Sequence, residues 1–233
     1  MSEDGAVGIR CSGVSRQYND GNRIITVLHD FTERFRPGET VAVTGPSGSG
    51  KSTLLGLLAA LDYADHGTIH VGATELGSLS SVEQTELRAG RISYLGPDHN
   101  LLPILSVYEN ISLALSLKRL SEPEIDRRIQ ESLRSLELSE LAHRRPTELS
   151  SGQRARAALA RALASDNPVL IADEPTAHLD ARDATRVAGL CATFASDGRH
   201  LVILATHDPA VASRADRVIR LRPQAPGAGP DDP

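Results

Sequence analysis

The chain has 233 residues, enough for one large domain or for a domain with a sizeable insertion. At 40% hydrophobic and 24% charged residues its composition is globular; a net charge of -5 and a pI near 5.9 argue against a general nucleic-acid binder, though not against a local basic patch. Its polar, acidic N-terminus lacks the apolar region of a secretory signal, and its longest apolar run, LLGLLAAL at 54–61, is too short to span a bilayer. The expectation is a soluble protein that meets a membrane only through a partner. Cys11 and Cys191 lie far apart without metal-ligand spacing, so they read as buried free thiols of a reducing compartment. Lys51 and Lys118 are the only lysines, and nearly all positive charge is arginine.

Residues 1–7 are expected to fray, as is the Pro/Gly-rich tail at 223–233. Between them strands and helices alternate. GIRCSGVSRQY, RIITVLHDFTERF and ETVAVTG, within 8–44 and followed by a turn, read as strands; residues 50–61 read as a helix, and TIHVG and RISYL as short strands. From 104 to 165 the pattern is helical almost throughout. Strands then return in PVLIAD, HLVILAT and DRVIRLR, separated by a helical stretch at 181–196. This order predicts an α/β fold with a mostly parallel core sheet, into which an all-helical block is inserted.

GPSGSGKST, residues 45–53, fits the phosphate-loop pattern and stands in the required context, after an apolar strand and before a helix. Gly45, Gly48 and Gly50 let backbone N–H groups turn toward a polyphosphate. Lys51 can reach its β and γ phosphates, and Ser52 can ligate Mg²⁺, with Pro46, Ser47, Ser49 and Thr53 completing the loop. The plain alternative is a Gly/Ser-rich turn before a helix. VLIADEP, residues 169–175, is an apolar strand ending in two carboxylates. Asp173 would hold Mg²⁺ and Glu174 would act as general base. Taken alone that run is weak; beside a phosphate loop it becomes strong. LVILATHDP, residues 201–209, ends in His207 at the same sheet edge, although a histidine after a strand is usually structural. In ELSSGQRARAALARAL, Ser150, Ser151 and Gly152 precede a long helix and read either as an N-cap or as a second anion-binding helix start. Lying in the helical block, that start makes sense if it closes over the nucleotide of another subunit.

In order and spacing these motifs resemble those of the ATP-binding cassette (ABC) ATPases over about residues 9–221, and a single cassette domain is expected over 8–222 with its helical part at about 97–165. LSSGQ resembles the LSGGQ signature of that family, which brings in Gln153. GPSGSGKST and VLIADE match Walker A and Walker B. AHLD at 177–180 resembles the D-loop, with Asp180 at its end, and His207 the switch histidine. Tyr18 stands where the family has its adenine-stacking aromatic. Within the family, GKSTLLGLLAALDYADHGTI, HNLLPILSVYENI and DEPTAHLDAR are most similar to ATPase subunits of the lipoprotein-release and macrolide-efflux type. The resemblance implies a P-loop NTPase core with an N-terminal antiparallel β subdomain and an inserted α-helical subdomain. It implies ATP and Mg²⁺ as ligands, and Glu174, His207 and Lys51 as catalytic residues. The partners it implies are a second copy or a homologous ATPase subunit, and an integral-membrane permease, with no nucleic acid. The chain would be cytoplasmic and peripheral on the inner face of the membrane. A motor of the same dimeric kind that transmits a mechanical signal without transport is the second reading. The long coiled coil of repair-type relatives, and the paired cassettes of translation-type ones, are not found, and the signature and D-loop argue against a small-molecule kinase.

Two positions depart from the family. Pro97 stands where the strand before HNLLP ends in a glutamine that touches Mg²⁺ and the lytic water. Proline offers no side-chain donor or acceptor and fixes φ. Either Pro97 weakens that contact, or Asp98 or His99 takes it over. Ser151 replaces the first signature glycine, which would cost freedom if a positive φ is needed there, although its hydroxyl could equally add a phosphate contact. The expected product is a working ATPase with slowed turnover.

Overall fold

The computed structural model describes residues 7–19, 21, 23–177 and 179–223. Two sheets organise them. The first is antiparallel and four-stranded, in the order β2-β1-β4-β5, from β1 (Ile9–Asn19), β2 (Ile24–Phe35), β4 (His66–Val71) and β5 (Thr74–Glu75). Its strands alternate: Ile9 and Cys11 are buried while Arg10 and Ser12 are exposed, as a sheet with one covered face requires. Val7, just outside the first strand, is also buried and packs in the same core as Ile9 and Val71.

The second sheet has five strands in the order β6-β7-β8-β3-β9, from β3 (Thr40–Thr44), β6 (Ile92–Leu95), β7 (Val169–Asp173), β8 (Leu201–Ala205) and β9 (Arg217–Arg220). Every neighbouring pair in it is parallel. Strands β7 and β8 are buried at every residue, which is why they read as continuous apolar runs: a central parallel strand is covered on both faces. The pleat divides those runs between two cores. Val169, Ile171, Leu201 and Ile203 pack with Leu54, Leu55 and Leu58 of α1 (Lys51–Leu58) and with Phe35. Leu170, Ala172, Val202 and Leu204 pack on the other side. Truncating any of these buried leucines to alanine should cost about 2–5 kcal/mol.

That other side is helical. It holds α3 (Val107–Ser116), α4 (Glu122–Ser135), α5 (Ser151–Ala164) and α6 (Ala181–Ala195), with Ile111, Leu115, Ile129, Leu133 and Leu159 wholly buried among them. The short α7 (Pro209–Ala212) follows β8. Residues 74–90, to which the sequence pattern assigns nothing, hold β5 and most of α2 (Ser81–Arg91), whose last residue the pattern gives to the strand RISYL. Ser80 and Glu83 close a reciprocal capping box at the start of α2: the Ser80 N–H donates to the Glu83 carboxylate at 2.8 Å, and the Glu83 N–H to the Ser80 hydroxyl at 3.4 Å. No helix of the described residues is long and apolar enough to cross a membrane.

Candidate functional site at the edge of the parallel sheet

Strand β8 lies between β7 and β3, and the three run parallel. Their C-terminal ends therefore open at one edge, where open α/β sheets bind ligands. The chain leaves β3 at Thr44 and turns through Gly45, Gly48 and Gly50, whose φ angles are 154°, 77° and 89°. Gly50 is required twice. Its backbone is left-handed, and a Cβ there would stand 2.8 Å from the Val27 carbonyl oxygen. Gly50 caps α1 without a side-chain hydrogen bond, so side chains leave the first-turn amides free to face an anion. The Lys51 ammonium donates to the carbonyls of Gly45 and Pro46 at 2.9 and 3.1 Å.

A cavity of about 700 Å³ opens over this loop, lined by Ser47, Gly48 and residues 50–53 together with Val27, Glu174 and His207. Gly45, Pro46 and His207 also border a neighbouring cavity of about 750 Å³. Ser49 is buried under the loop. Asp173, at the end of β7, is 2% exposed, and its Oδ1 has no hydrogen-bond partner. Burial raises its carboxyl above the usual aspartate value, and Glu174 beside it adds to the rise, while the Ser52 hydroxyl and Lys51 oppose it. An orphaned carboxylate oxygen beside a loop serine fits Mg²⁺, which takes few protein ligands and completes its shell from phosphates and water.

Glu174 has φ 50°, an uncommon backbone for a residue with a side chain. Its N–H donates to the Ala205 carbonyl at 3.1 Å, and its own carbonyl accepts from the Ala177 N–H at 3.0 Å. So β8 and the turn after β7 fix where the carboxylate starts. His207 Nδ1 stands 2.9 Å from Glu174 Oε2, an oxygen that as part of a carboxylate can only accept. The Thr206 N–H, one residue earlier, donates to the Val43 carbonyl of β3 at 3.1 Å.

Residues 150–153 do not line that cavity. Ser150 caps α5 in a reciprocal box. The Gln153 N–H donates to the Ser150 hydroxyl at 3.2 Å, and the Ser150 N–H to Gln153 Oε1 at 2.9 Å. Ser151 is the first helical residue and has no positive φ, so the backbone cost considered for a serine there does not arise. Gly152 is needed for a different reason: a Cβ on it would lie 2.1 Å from Asp183 Oδ2. Asp183 in turn accepts from Arg156 at 3.0 Å. Asp180 caps α6 by accepting from the Asp183 N–H at 2.8 Å; it too lies off the cavity, and His178 of the AHLD stretch falls outside the described residues. Tyr18, on β1, is 39% exposed and likewise off the cavity lining.

After β6 the chain makes a turn in which the His99 N–H donates to the Gly96 carbonyl at 2.9 Å, with Pro97 at the second position, where its fixed φ fits. Pro97 and Asp98 are exposed. His99 and Asn100 follow with φ 62° and 53°, and Arg161 of α5 donates to both their carbonyls. Burial depresses the pKa of that guanidinium. Val27, Asp183 and Arg161 are site-supporting residues that sequence reasoning missed. Arg161 had one usable signal: it lies seven residues after Arg154, hence on the same helix face, and Arg154 also donates to a loop carbonyl, that of Leu149 at 2.5 Å.

Comparison with known proteins agrees with this arrangement. Residues 28–177 match the family described as ABC transporter. The chain is 36% identical over 214 residues to the macrolide export ATP-binding/permease protein MacB 2 of Aeromonas hydrophila subsp. hydrophila, covering 92% of this chain and 33% of that protein. It thus spans about a third of that relative's length. It is 35% identical over 218 residues to the uncharacterized ABC transporter ATP-binding protein MJ0796 of Methanocaldococcus jannaschii, covering 92% and 93%. A solved dimeric structure of the MJ0796 cassette, in a post-hydrolysis state bound to ADP and Pi, matches with a TM-score of 0.85 at 33% identity, covering 93% of this chain and 97% of that one. With the phosphate loop and the carboxylate pair on one sheet edge, and both inside the matched residues, the chain belongs to the ABC transporter family.

Proposed function

We propose that residues 8–222 form one ATP-binding and ATP-hydrolysing cassette, the motor of an ABC transporter that works as a nucleotide-sandwich dimer beneath an integral-membrane permease. The observation that carries this reading is the separation of the loop at 45–53 from the helix start at Ser150–Gln153. The loop at 45–53 shares a cavity with Glu174 and His207, whereas Ser150–Gln153 lies outside it. A second copy, or a homologous subunit, would bring its own Ser150 end over that cavity.

Within such a sandwich the loop amides and Lys51 bind and orient the polyphosphate. Ser52 and Asp173 would hold Mg²⁺, which offsets charge on the transferring phosphoryl group when bound. Glu174 takes a proton from the attacking water, and His207 orients the Glu174 carboxylate through the 2.9 Å contact. Positioning and charge stabilisation carry most of phosphoryl transfer, so one altered secondary contact at Pro97 would slow turnover without abolishing it. The name of the macrolide export relative and the ADP- and Pi-bound state of the MJ0796 cassette support the reading.

The test is Glu174→Gln, which keeps binding and removes the base. Static light scattering with Mg-ATP should find it dimeric, and wild type should return to monomer as ATP is consumed. A Glu174→Gln protein that binds ATP yet stays monomeric at high protein concentration counts against the sandwich.

A further inference from the structure

Arg16 and Tyr18 are two residues apart on β1 and so share a face of the strand. The Arg16 guanidinium carbon stands 4.7 Å from the centre of the Tyr18 ring. The cation is held there from a different part of the chain. Its Nε and Nη2 donate to the two oxygens of Asp62 at 3.1 and 2.8 Å, and its Nη1 donates to Asp65 Oδ1 at 3.0 Å. The same Asp62 carboxylate accepts from the Tyr18 hydroxyl at 2.8 Å. Asp65 Oδ2 accepts from the Gln17 N–H at 2.7 Å, which ties the strand between the two side chains. Asp62 and Asp65 lie in the segment between α1 and β4, so both anchors follow the helix that begins at the phosphate loop.

A surface ion pair usually gives little, because two long side chains must be frozen to make it. Here one guanidinium uses three nitrogens on two carboxylates while its carbon lies over a ring, and the ring's hydroxyl returns to one of those carboxylates. The ring is thereby covered on one face and held at its hydroxyl, yet it remains 39% exposed.

We propose that Arg16 is a positioning residue for the nucleotide base. Clamped by Asp62 and Asp65, it covers one face of Tyr18 and presents the other to a purine, so the stacking platform is built before the nucleotide arrives. This rests on the reading of Tyr18 as the residue that stacks on adenine. An arginine fork suits the task better than a lysine point charge, because it can face a ring and hold a carboxylate in two places at once. Preorganisation of this kind adds affinity by removing an ordering cost from the binding step.

Two probes separate the base from the phosphates: Mg-ATP and inorganic tripolyphosphate with Mg²⁺. Titration calorimetry of both is run on wild type, Arg16→Ala, Arg16→Lys, Tyr18→Leu and the Arg16→Ala/Tyr18→Leu pair. Arg16→Ala should weaken ATP about two- to fivefold and leave tripolyphosphate unchanged. Arg16→Lys should recover part of the loss, and the pair should bind ATP no more weakly than Tyr18→Leu alone. In turnover, KM for ATP should rise in Arg16→Ala at constant kcat. Equal weakening of ATP and tripolyphosphate in Arg16→Ala would make Arg16 a merely structural residue and overturn the proposal. So would an Arg16→Ala protein with normal ATP affinity while Tyr18→Leu is weakened. If Tyr18→Leu itself binds ATP normally, the stacking reading falls and takes the proposal with it.

Discussion

Gly152 at the start of α5 and Asp183 in the first turn of α6 approach so closely that a Cβ on the glycine would fall 2.1 Å from the carboxylate oxygen. Gly152→Ala must therefore push Asp183 away and break its 3.0 Å contact with Arg156. The expected loss is about 1–2 kcal/mol, in the range of overpacking. Because the clash is between two named side chains, it should be pairwise. Gly152→Ala/Asp183→Ala should be more stable than the sum of the single losses predicts, by about 1 kcal/mol in a urea double-mutant cycle. Strict additivity would place the cost of Gly152→Ala elsewhere.

Asp173 illustrates a site that trades stability for function. Its carboxylate is buried, one oxygen lacks a partner, and burial works against its charge. Asp173→Asn removes that charge at nearly constant shape. Thermal melting without nucleotide should show Tm raised by about 2–4 °C, equivalent to roughly 1 kcal/mol in a chain of this size, while ATP hydrolysis falls to background. A lower Tm would mean that the carboxylate stabilises the fold on balance.

Pro97→Gln should raise kcat for ATP hydrolysis severalfold, about 1 kcal/mol, with ATP affinity almost unchanged, because a contact made mainly in the transition state acts on kcat. Pro97 fits the turn that Gly96 and His99 close, so the same change should lower stability by about 0.4–1 kcal/mol through the unfolded chain. Asp98→Ala and His99→Ala belong beside it. A neutral Pro97→Gln with an inactive Asp98→Ala would mean that Asp98 has taken over the contact.

Far from that edge, His200 is buried with Nδ1 2.8 Å from Asp197 and Nε2 3.0 Å from Asp166, and its ring packs against Phe194. Arg199 pairs with Asp197, and Arg128 of α4 approaches Asp166 at 4.0 Å. Hydrogen bonding with His200 holds the Asp166 carboxyl below its ordinary value of 3.8. A depressed carboxyl stabilises the fold fully above its unfolded value and loses that contribution as pH falls through the folded one. Acid unfolding of Asp166→Asn should thus lose stability less steeply than wild type below about pH 4. The half-exposed position limits the difference to about 1 kcal/mol or less. Parallel curves for the two proteins would show that the pairing adds nothing.

How much of this could be read from the chain depends on how far apart the partners lie. Strands β7 and β8 were legible because both faces are covered and, Asp173 apart, every residue is apolar. The phosphate loop was legible because its glycines and Lys51 act locally. Helix α2 was not read, although Ser80 and Glu83 carry a start signal. Its one buried residue is Gln84, while Val82 is 66% exposed, so no apolar stripe marks it. The reason for glycine at 152 lies in Asp183, and the fixing of Tyr18 lies in Asp62. No local pattern points across such separations. The family's glycine at position 151 raises the question of a left-handed backbone, but Ser151 is already inside the helix.

Helix α5 joins two of the segments described above. Its first turn carries Ser150 to Gln153, and Arg161, near its last turn, grips the backbone of the loop that follows β6. Fourteen residues make a rod of about 21 Å. Tilted by about 5° about Arg161, such a rod would move its Ser151 end, about 15 Å away, by about 1.3 Å, nearly half a hydrogen-bond length. The loop after β6 and the Ser150 cap are thus joined by one unbroken helix, so a tilt of that size at one end would be felt at the other without crossing a hinge.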